Sequence, residues 1–325
     1  MAKTTVIIPN WNGKKYLGDC LFSVVNQEGC TPDIIVVDNG SEDGSVSFVK
    51  ENYPTVRLIE FQENTGFCKA VNAGIQAAET EFVLLLNNDT KADKHFVRQM
   101  EQGIERSEQI FSVSGKLLSM KDPEYVDDAG DYYCALGWAY AQGKGKKDCA
   151  AYSHSKKIFA SCGGAAIYRR KIFEEIGFFD EEHFAYLEDI DIGYRAKIYG
   201  YINAFEPTAI VYHAGSAASG SKYNEFKVNF SSRNSVYIVR KNMPLLQIVM
   251  NLPFLAAGFL IKTLFFVKKG LGKTYVKGLI EGIKLGSSKK GRGKRVKFKG
   301  KHIKNYIGIQ WELWVNIFRR FSSGR

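Results

Sequence analysis

The sequence predicts an α/β protein: a Rossmann-like, mostly parallel central sheet flanked by helices, followed by a helical, basic C-terminal extension. Three observations carry this. Strand-like and helix-like segments alternate over residues 4–106, and the strands are apolar on both faces. The charge balance also reverses near residue 262. Strict alternation implies right-handed βαβ crossovers, which bury a parallel sheet under helices on both sides.

The elements follow in order. "TTVIIPN" (4–10) is a β-branched strand closed by Pro9, and residues 15–26 place Leu17, Leu21, Phe22 and Val25 at helical spacing. "DIIVVDN" (33–39) and "VRLIEF" (56–61) are further strands around a helix at 45–52. "CKAVNAGIQAAE" (68–79) is an Ala-rich helix, "EFVLLLNND" (81–89) a fourth strand, and residues 94–106 a helix. Residues 119–157 mix Gly, Lys, Asp and Tyr without a period, as irregular structure or short antiparallel strands would. Helices are expected again at the centre of 186–201 and over 223–241.

Residues 262–325 hold eighteen Lys and Arg against two acids, whereas the other 261 residues hold 27 basic and 32 acidic groups. A basic tail on a mildly acidic body points to an anionic partner. "LLQIVMNLPFLAAGFLIKTLFFV" (245–267) is long enough to span a bilayer, but Gln247, Asn251, Pro253 and Lys262 favour lying in the interface or packing on the body. Ile303, Ile307, Trp311, Trp314, Phe318 and Phe321 recur at three- and four-residue spacing, as in an amphipathic helix. Basic and Trp-bearing together favour an anionic membrane surface, with a helix docked on the body as the alternative. Nucleic acid is not expected, because basic and aromatic residues are segregated. No secretory leader is read at the N-terminus, so the six scattered cysteines are expected to be reduced thiols.

Ligands of such sheets sit beyond the carboxyl ends of the strands, where Pro9-Asn10, Asp38-Asn39, Asn64 and Asp89 fall. Asp38 suits a ribose or base N–H, or a plain Asx turn. Asn72, among Ala and Val, must be hydrogen-bonded, to a ligand or to a neighbouring strand. Asp89 suits Mg²⁺ or Mn²⁺ bridging a diphosphate. In "YLEDIDIGYR" (186–195) Asp191 and Arg195 fall at i, i+4 and can pair, leaving Asp189 pointing elsewhere. The fingerprints G-x-G-x-x-G and G-x-x-x-x-G-K-[ST] are absent from the sequence.

Taken in series, "TVIIPNWNG", "VVDNGSEDGS", "ENTGFCKAVNAG", "LLLNND", "GGAAIYRRKIFEEIGFFDE", "YLEDIDIGYRA" and "VYHAGS" resemble the family-2 glycosyltransferases. The nearest likeness is to the non-processive bacterial branch that includes rhamnosyltransferases. The resemblance spans about residues 3 to 240. It implies a GT-A fold over 1–240, with a nucleotide-binding half (about 1–118) and an acceptor and catalytic half (about 119–240), and a helical amphipathic region over 241–325. It also implies inverting transfer from a nucleotide-diphosphate sugar to a saccharide or lipid-linked saccharide, in cell-surface polysaccharide synthesis. On this likeness Pro9, Asn12, Asp38, Asn64, Gly66, Asn72 and Asn88 serve the donor, and Gly163, Gly164 and Ala165 line the sugar pocket. Asp89 and His213 bind the metal, Mn²⁺ or Mg²⁺, and Asp189 of the Glu188-Asp189 pair is the general base. The donor expected first is deoxythymidine-diphospho-rhamnose, then a uridine-diphospho hexose. The location expected is cytoplasmic, on the inner face of the cell membrane; the oligomeric state stays open. One departure stands out: the family's D-x-D is Asn87-Asn88-Asp89, with an amide in place of the first acid. That substitution raises the alternative of a catalytically impaired sugar-nucleotide-binding or scaffold protein.

Overall fold

In the computed structural model, which describes residues 2–215 and 223–322, alternate residues of the first strand feed two different cores. β1 (Thr4–Asn10) sends Val6 and Ile8 to one face, where α1 (Lys14–Val25) packs, and Ile7 to the other. β2 (Asp33–Asn39), α2 (Ser45–Asn52), β3 (Arg57–Phe61), α3 (Phe67–Ala77) and β4 (Phe82–Leu86) repeat the pattern. The pairs β1–β2, β2–β3 and β1–β4 are all parallel. After β5 (Thr90–Ala92) and α4 (Phe96–Glu105) comes the long β6 (Ile110–Ser119).

The expected short antiparallel strands then appear: β7 (Tyr125–Asp128), β8 (Asp131–Cys134), β9 (Trp138–Ala141), β10 (Lys146–Lys147) and β11 (Lys156–Ile158). β12 (Ala165–Arg169) inserts between β4 and β6 and runs antiparallel to both. Periodicity gives no sense of direction, so this reversal lay outside what alternation could predict. α5 (Ile172–Ile176) and α6 (Glu188–Tyr199) follow, and β13 (Ile202–His213) runs parallel to β6. All six cysteines are free thiols. Ser216, which closes "VYHAGS", lies outside the described residues.

α7 (Glu225–Asn242), α8 (Leu245–Lys268), α9 (Gly272–Ser287), α10 (Lys289–Gly293) and α11 (Ile303–Ser322) complete the chain. Tyr133, Tyr194, Ile238, Leu255, Tyr306 and Leu313 form one core, so the C-terminal helices share an interior with the α/β body. α8 is inverted relative to an ordinary surface helix. Its buried face is Gln247, Asn251, Leu255 and Gly258, while Leu246, Val249, Leu252, Leu260 and Leu264 are exposed. Asn251 exchanges two 2.8 Å hydrogen bonds with Gln310 of α11, and Gln247 accepts one from Tyr194 at 2.6 Å. In α11 the expected apolar stripe divides. Tyr306, Ile309 and Leu313 turn inward, and Trp314 gives its indole N–H to Asn251, whereas Ile307 and Trp311 are 65% and 68% exposed. The helix is apolar on two faces, and only one is docked.

Candidate active site

The polar rim at the strand ends is a connected network. Asn88 donates to Asn10 Oδ1 at 2.6 Å, and Asn10 donates to Asp38 Oδ2 at 2.9 Å, linking the ends of β4, β1 and β2. Asp38 is buried, and its other oxygen accepts the Ser41 N–H at 2.8 Å. The Asx turn and the ligand rim are therefore one object: the turn fixes the carboxylate at the strand end. Asn12, held at a φ of 48°, accepts from the Glu42 N–H at 2.9 Å. Asn39 organises the next loop, donating to Asn64 Oδ1 and Gly66 O and accepting from Thr65. Gly66 has a φ of 88°, and a Cβ there would stand 2.6 Å from the Phe184 ring.

Other expected residues fall in different settings. Asn72 donates to Phe179 O and accepts the Phe179 N–H, so both ends of its amide are spent on the backbone before α6, rather than on a neighbouring strand. Pro9 lies in β1, half-buried between Ile8 and Asn10. Gly163, Gly164 and Ala165 arrive at the end of β4: Asn87 N–H donates to Gly164 O at 3.0 Å, and Ala165 pairs with Leu86.

Asp89 and His213, 124 positions apart, are neighbours by sheet register. β13 pairs with β5 so that His213 opposes Thr90, and the Ala214 N–H donates to Asp89 O at 2.9 Å. His213 Nε2 lies 3.3 Å from Asp89 Oδ1, and its Nδ1 lies 2.7 Å from Asp127 Oδ2. Against the penalty of burial, the two carboxylates raise the imidazole to about 9. A carboxylate oxygen and an imidazole nitrogen converging at that separation could both serve one divalent ion. The donor set fits Mn²⁺ or Mg²⁺.

Asp189 sits in the first turn of α6, its Oδ1 accepting the Ile190 N–H at 2.7 Å. A second hydrogen bond links it to Asp131 of β8. Burial raises both carboxyls; that of Asp131 goes well above the usual range, because Asp128 and Asp189 add like charge. Of the two, Asp131 is raised further, the direction expected if it donates to Asp189. Burial and Asp189 likewise raise Glu188, whose Oε2 is buried without a hydrogen-bond partner among the described residues. Asp128, Asp131 and Cys162 bring one ligand atom each within 4.8 Å of the others, but burial pushes all three groups toward their protonated forms.

The loop before α6 is strained. Phe184, Tyr186 and Leu187 have φ of 60°, 71° and 67°, conformations costing about 1–3 kcal/mol each. Asn234 of α7 pins them, donating to the carbonyls of His183, Ala185 and Tyr186, while Arg233 donates to Glu182 and His183. Asp191 pairs with Arg195 as the spacing predicted, and also with Lys241 and Asn242. Sequence reading missed Asp127, Asp131, Arg233, Asn234 and Lys241. The three acids of "YVDDAGD" (125–131) were the signal for the first two.

Residues 5–177 match the sequence model of Glycosyl transferase family 2. The chain is 25% identical over 213 residues to the N-acetylglucosaminyl-diphospho-decaprenol L-rhamnosyltransferase of Mycobacterium tuberculosis H37Rv, covering 58% of this chain and 68% of that one. It is 38% identical over 90 residues to an uncharacterized glycosyltransferase of Escherichia coli K12, YibD, covering 27% and 26%. Among solved structures, the Pyrobaculum calidifontis mannosyltransferase PcManGT with GDP-Man and Mn²⁺ superposes with a TM-score of 0.54 at 16% identity, covering 96% of this chain and 84% of that one. Staphylococcus aureus TarS 1–349 with UDP-GlcNAc gives 0.54 at 16% identity, covering 94% and 79%.

Proposed function

Because the chain belongs to the family-2 glycosyltransferases, we propose that it transfers a sugar, with inversion, from a nucleoside-diphosphate donor to a hydroxyl of a saccharide or lipid-linked saccharide. The product would enter a cell-surface polysaccharide. The observation that carries this reading is the meeting of Asp89 and His213 at the strand ends, with the Asp131–Asp189 pair beside β7. Asp38, Asn12, Asn64 and Gly66 would seat the nucleoside, and Asn88 would brace the rim through Asn10. Gly163, Gly164 and Ala165 would border the sugar. Rhamnose on a deoxythymidine diphosphate is the first donor to test, given the rhamnosyltransferase relative; uridine-diphospho hexoses come next.

Asp189 acts as the base. It takes the acceptor's hydroxyl proton while that oxygen bonds to the anomeric carbon, and the carbon–oxygen bond to the diphosphate breaks on the opposite face. Such a base contributes about 10²–10⁴ in rate. Asp131, holding the shared proton, orients the Asp189 carboxylate, and Glu188, kept neutral, adds no charge beside it. Asp89 and His213 would hold Mn²⁺ or Mg²⁺, which would supply positive charge against the leaving diphosphate. A thermal-shift and hydrolysis screen of nucleotide sugars, with and without Mn²⁺, tests the reading. Donor binding without turnover would favour the impaired, scaffold-type alternative that Asn87 raises.

We infer further that the enzyme works on the inner face of a membrane. The outward side of α8 and one face of α11 are apolar, and the tail around them is strongly basic. Because Gln247, Asn251 and Gly258 fasten about the first half of α8 to the body, the helix would lie in the interface plane rather than cross it. Co-sedimentation with vesicles containing anionic lipid is expected, weakening as salt rises. No binding at low salt, or binding indifferent to salt, would count against it.

A further inference from the structure

His213 stands between two carboxylates, and only one of them belongs to a motif. Asp127 is the other, and the shorter contact is its own: 2.7 Å to Nδ1, against 3.3 Å between Nε2 and Asp89. Its position comes from an irregularity in the sheet. β7 pairs with β6 through Leu117↔Asp128 and Leu118↔Val126, which leaves Asp127 as the extra residue of a β-bulge. β13 pairs with the other edge of β6, with Ser119 opposite His213. Bulges beside active sites re-aim side chains, and this one turns Asp127 toward β13. Lys144, from the turn before β10, holds the second oxygen at 2.7 Å. The carboxylate is thus fixed at both ends.

A neutral imidazole has one N–H, and an acceptor at Nδ1 decides where it sits. With Nδ1–H donating to Asp127, the Nε2 lone pair is left facing Asp89. We propose that Asp127 is a positioning residue: it fixes the His213 ring and keeps its proton on Nδ1, so that Nε2 and Asp89 receive a divalent cation together. The proposal rests on the reading of Asp89 and His213 as the cation site. Ligating histidines gain such partners because orientation and basicity both depend on them, and losing one weakens metal affinity about 10–100-fold. The bland alternative is an ion pair that only fastens β7 to β13.

The full chain with UDP as the probe separates these. Free Mn²⁺ would be titrated by electron paramagnetic resonance for wild type, His213→Ala, Asp127→Ala and Asp127→Asn, and the His213 tautomer read from ¹⁵N couplings. In the metal-free protein above about pH 9, where the imidazole is neutral, wild type is expected to show the Nδ1–H tautomer. Asp127→Ala should lose about 10–100-fold in Mn²⁺ affinity and mix the tautomers. Asp127→Asn should lose less, since its carbonyl still accepts from Nδ1–H. Wild-type affinity in Asp127→Ala, with His213→Ala weakened, would overturn the proposal. Unchanged affinity in His213→Ala would instead overturn the cation-site reading beneath it. If Asp127→Ala does not fold, Asp127→Leu, which fills the space but cannot accept from Nδ1–H, decides: wild-type Mn²⁺ affinity there overturns the proposal as well.

Discussion

Replacing Lys241 by Met tests the packing that holds α6, the helix that carries Asp189. Lys241 is 3% exposed, and its ammonium donates to Asp180 at 2.7 Å and Asp191 at 2.8 Å. Met keeps the length and removes the charge. Asp191 would still have Arg195 at 2.9 Å and Asn242 at 2.9 Å, but Asp180 would keep only neutral donors such as the Tyr237 hydroxyl. Breaking a buried pair on one side costs about 3–5 kcal/mol, or about 4–7 °C in Tm at the usual unfolding entropy per residue. The pH dependence carries a sign. In the native protein Lys241 helps hold Asp180 and Asp191 below the ordinary carboxylate range against the opposing effect of burial. The stability so gained is present above about pH 4 and lost in acid. Without Lys241, burial raises Asp180 instead, so the penalty is full at high pH and fades on acidification. Thermal melts at pH 8 and pH 5 should show a deficit that narrows toward pH 5. An unchanged Tm at pH 8, or a deficit that grows in acid, would refute the reasoning.

Other consequences are as direct. Gly66→Ala places a Cβ 2.6 Å from Phe184 at a φ of 88°, and should lower Tm and weaken nucleotide binding together in a calorimetric titration. Gly258→Ala puts a Cβ 2.1 Å from Leu136 O, and should destabilise the chain by about 1–3 kcal/mol in denaturant unfolding. Removing the Asp131 hydrogen bond by Asp131→Ala should move the acid limb of the rate profile to higher pH, because that bond lowers the Asp189 carboxyl; a limb shifted to lower pH would contradict the proton assignment. The double change Ile307→Glu, Trp311→Glu should release the protein from anionic vesicles without lowering Tm, since both side chains are exposed.

What the sequence disclosed follows the range of its signals. Strand–helix alternation fixed β1 to β4 and their parallel sense, and the greasy runs ending in Asn10, Asp38 and Asp89 marked the rim, because both are local patterns. The antiparallel insertion of β12 was not legible: "AAIYR" is equally apolar in either direction. The pairing of Asp89 with His213 came from family likeness, and the register of β13 against β5 supplies its physical reason. The acids around Asp127 were visible, but its direction was not, because a bulge rather than a sequence period aims it. The split of α11 was also hidden, since Trp311 and Trp314 share one periodic stripe, but Trp311 is exposed and Trp314 meets Asn251.

The account stands on Asp189 as the base of the transfer. With the donor selected by the nucleotide-sugar screen, the most direct measurement is the transfer rate of Asp189→Asn beside its donor dissociation constant. The prediction is a loss of about 10²–10⁴ in rate with donor affinity unchanged. A variant that transfers sugar at the wild-type rate would contradict it.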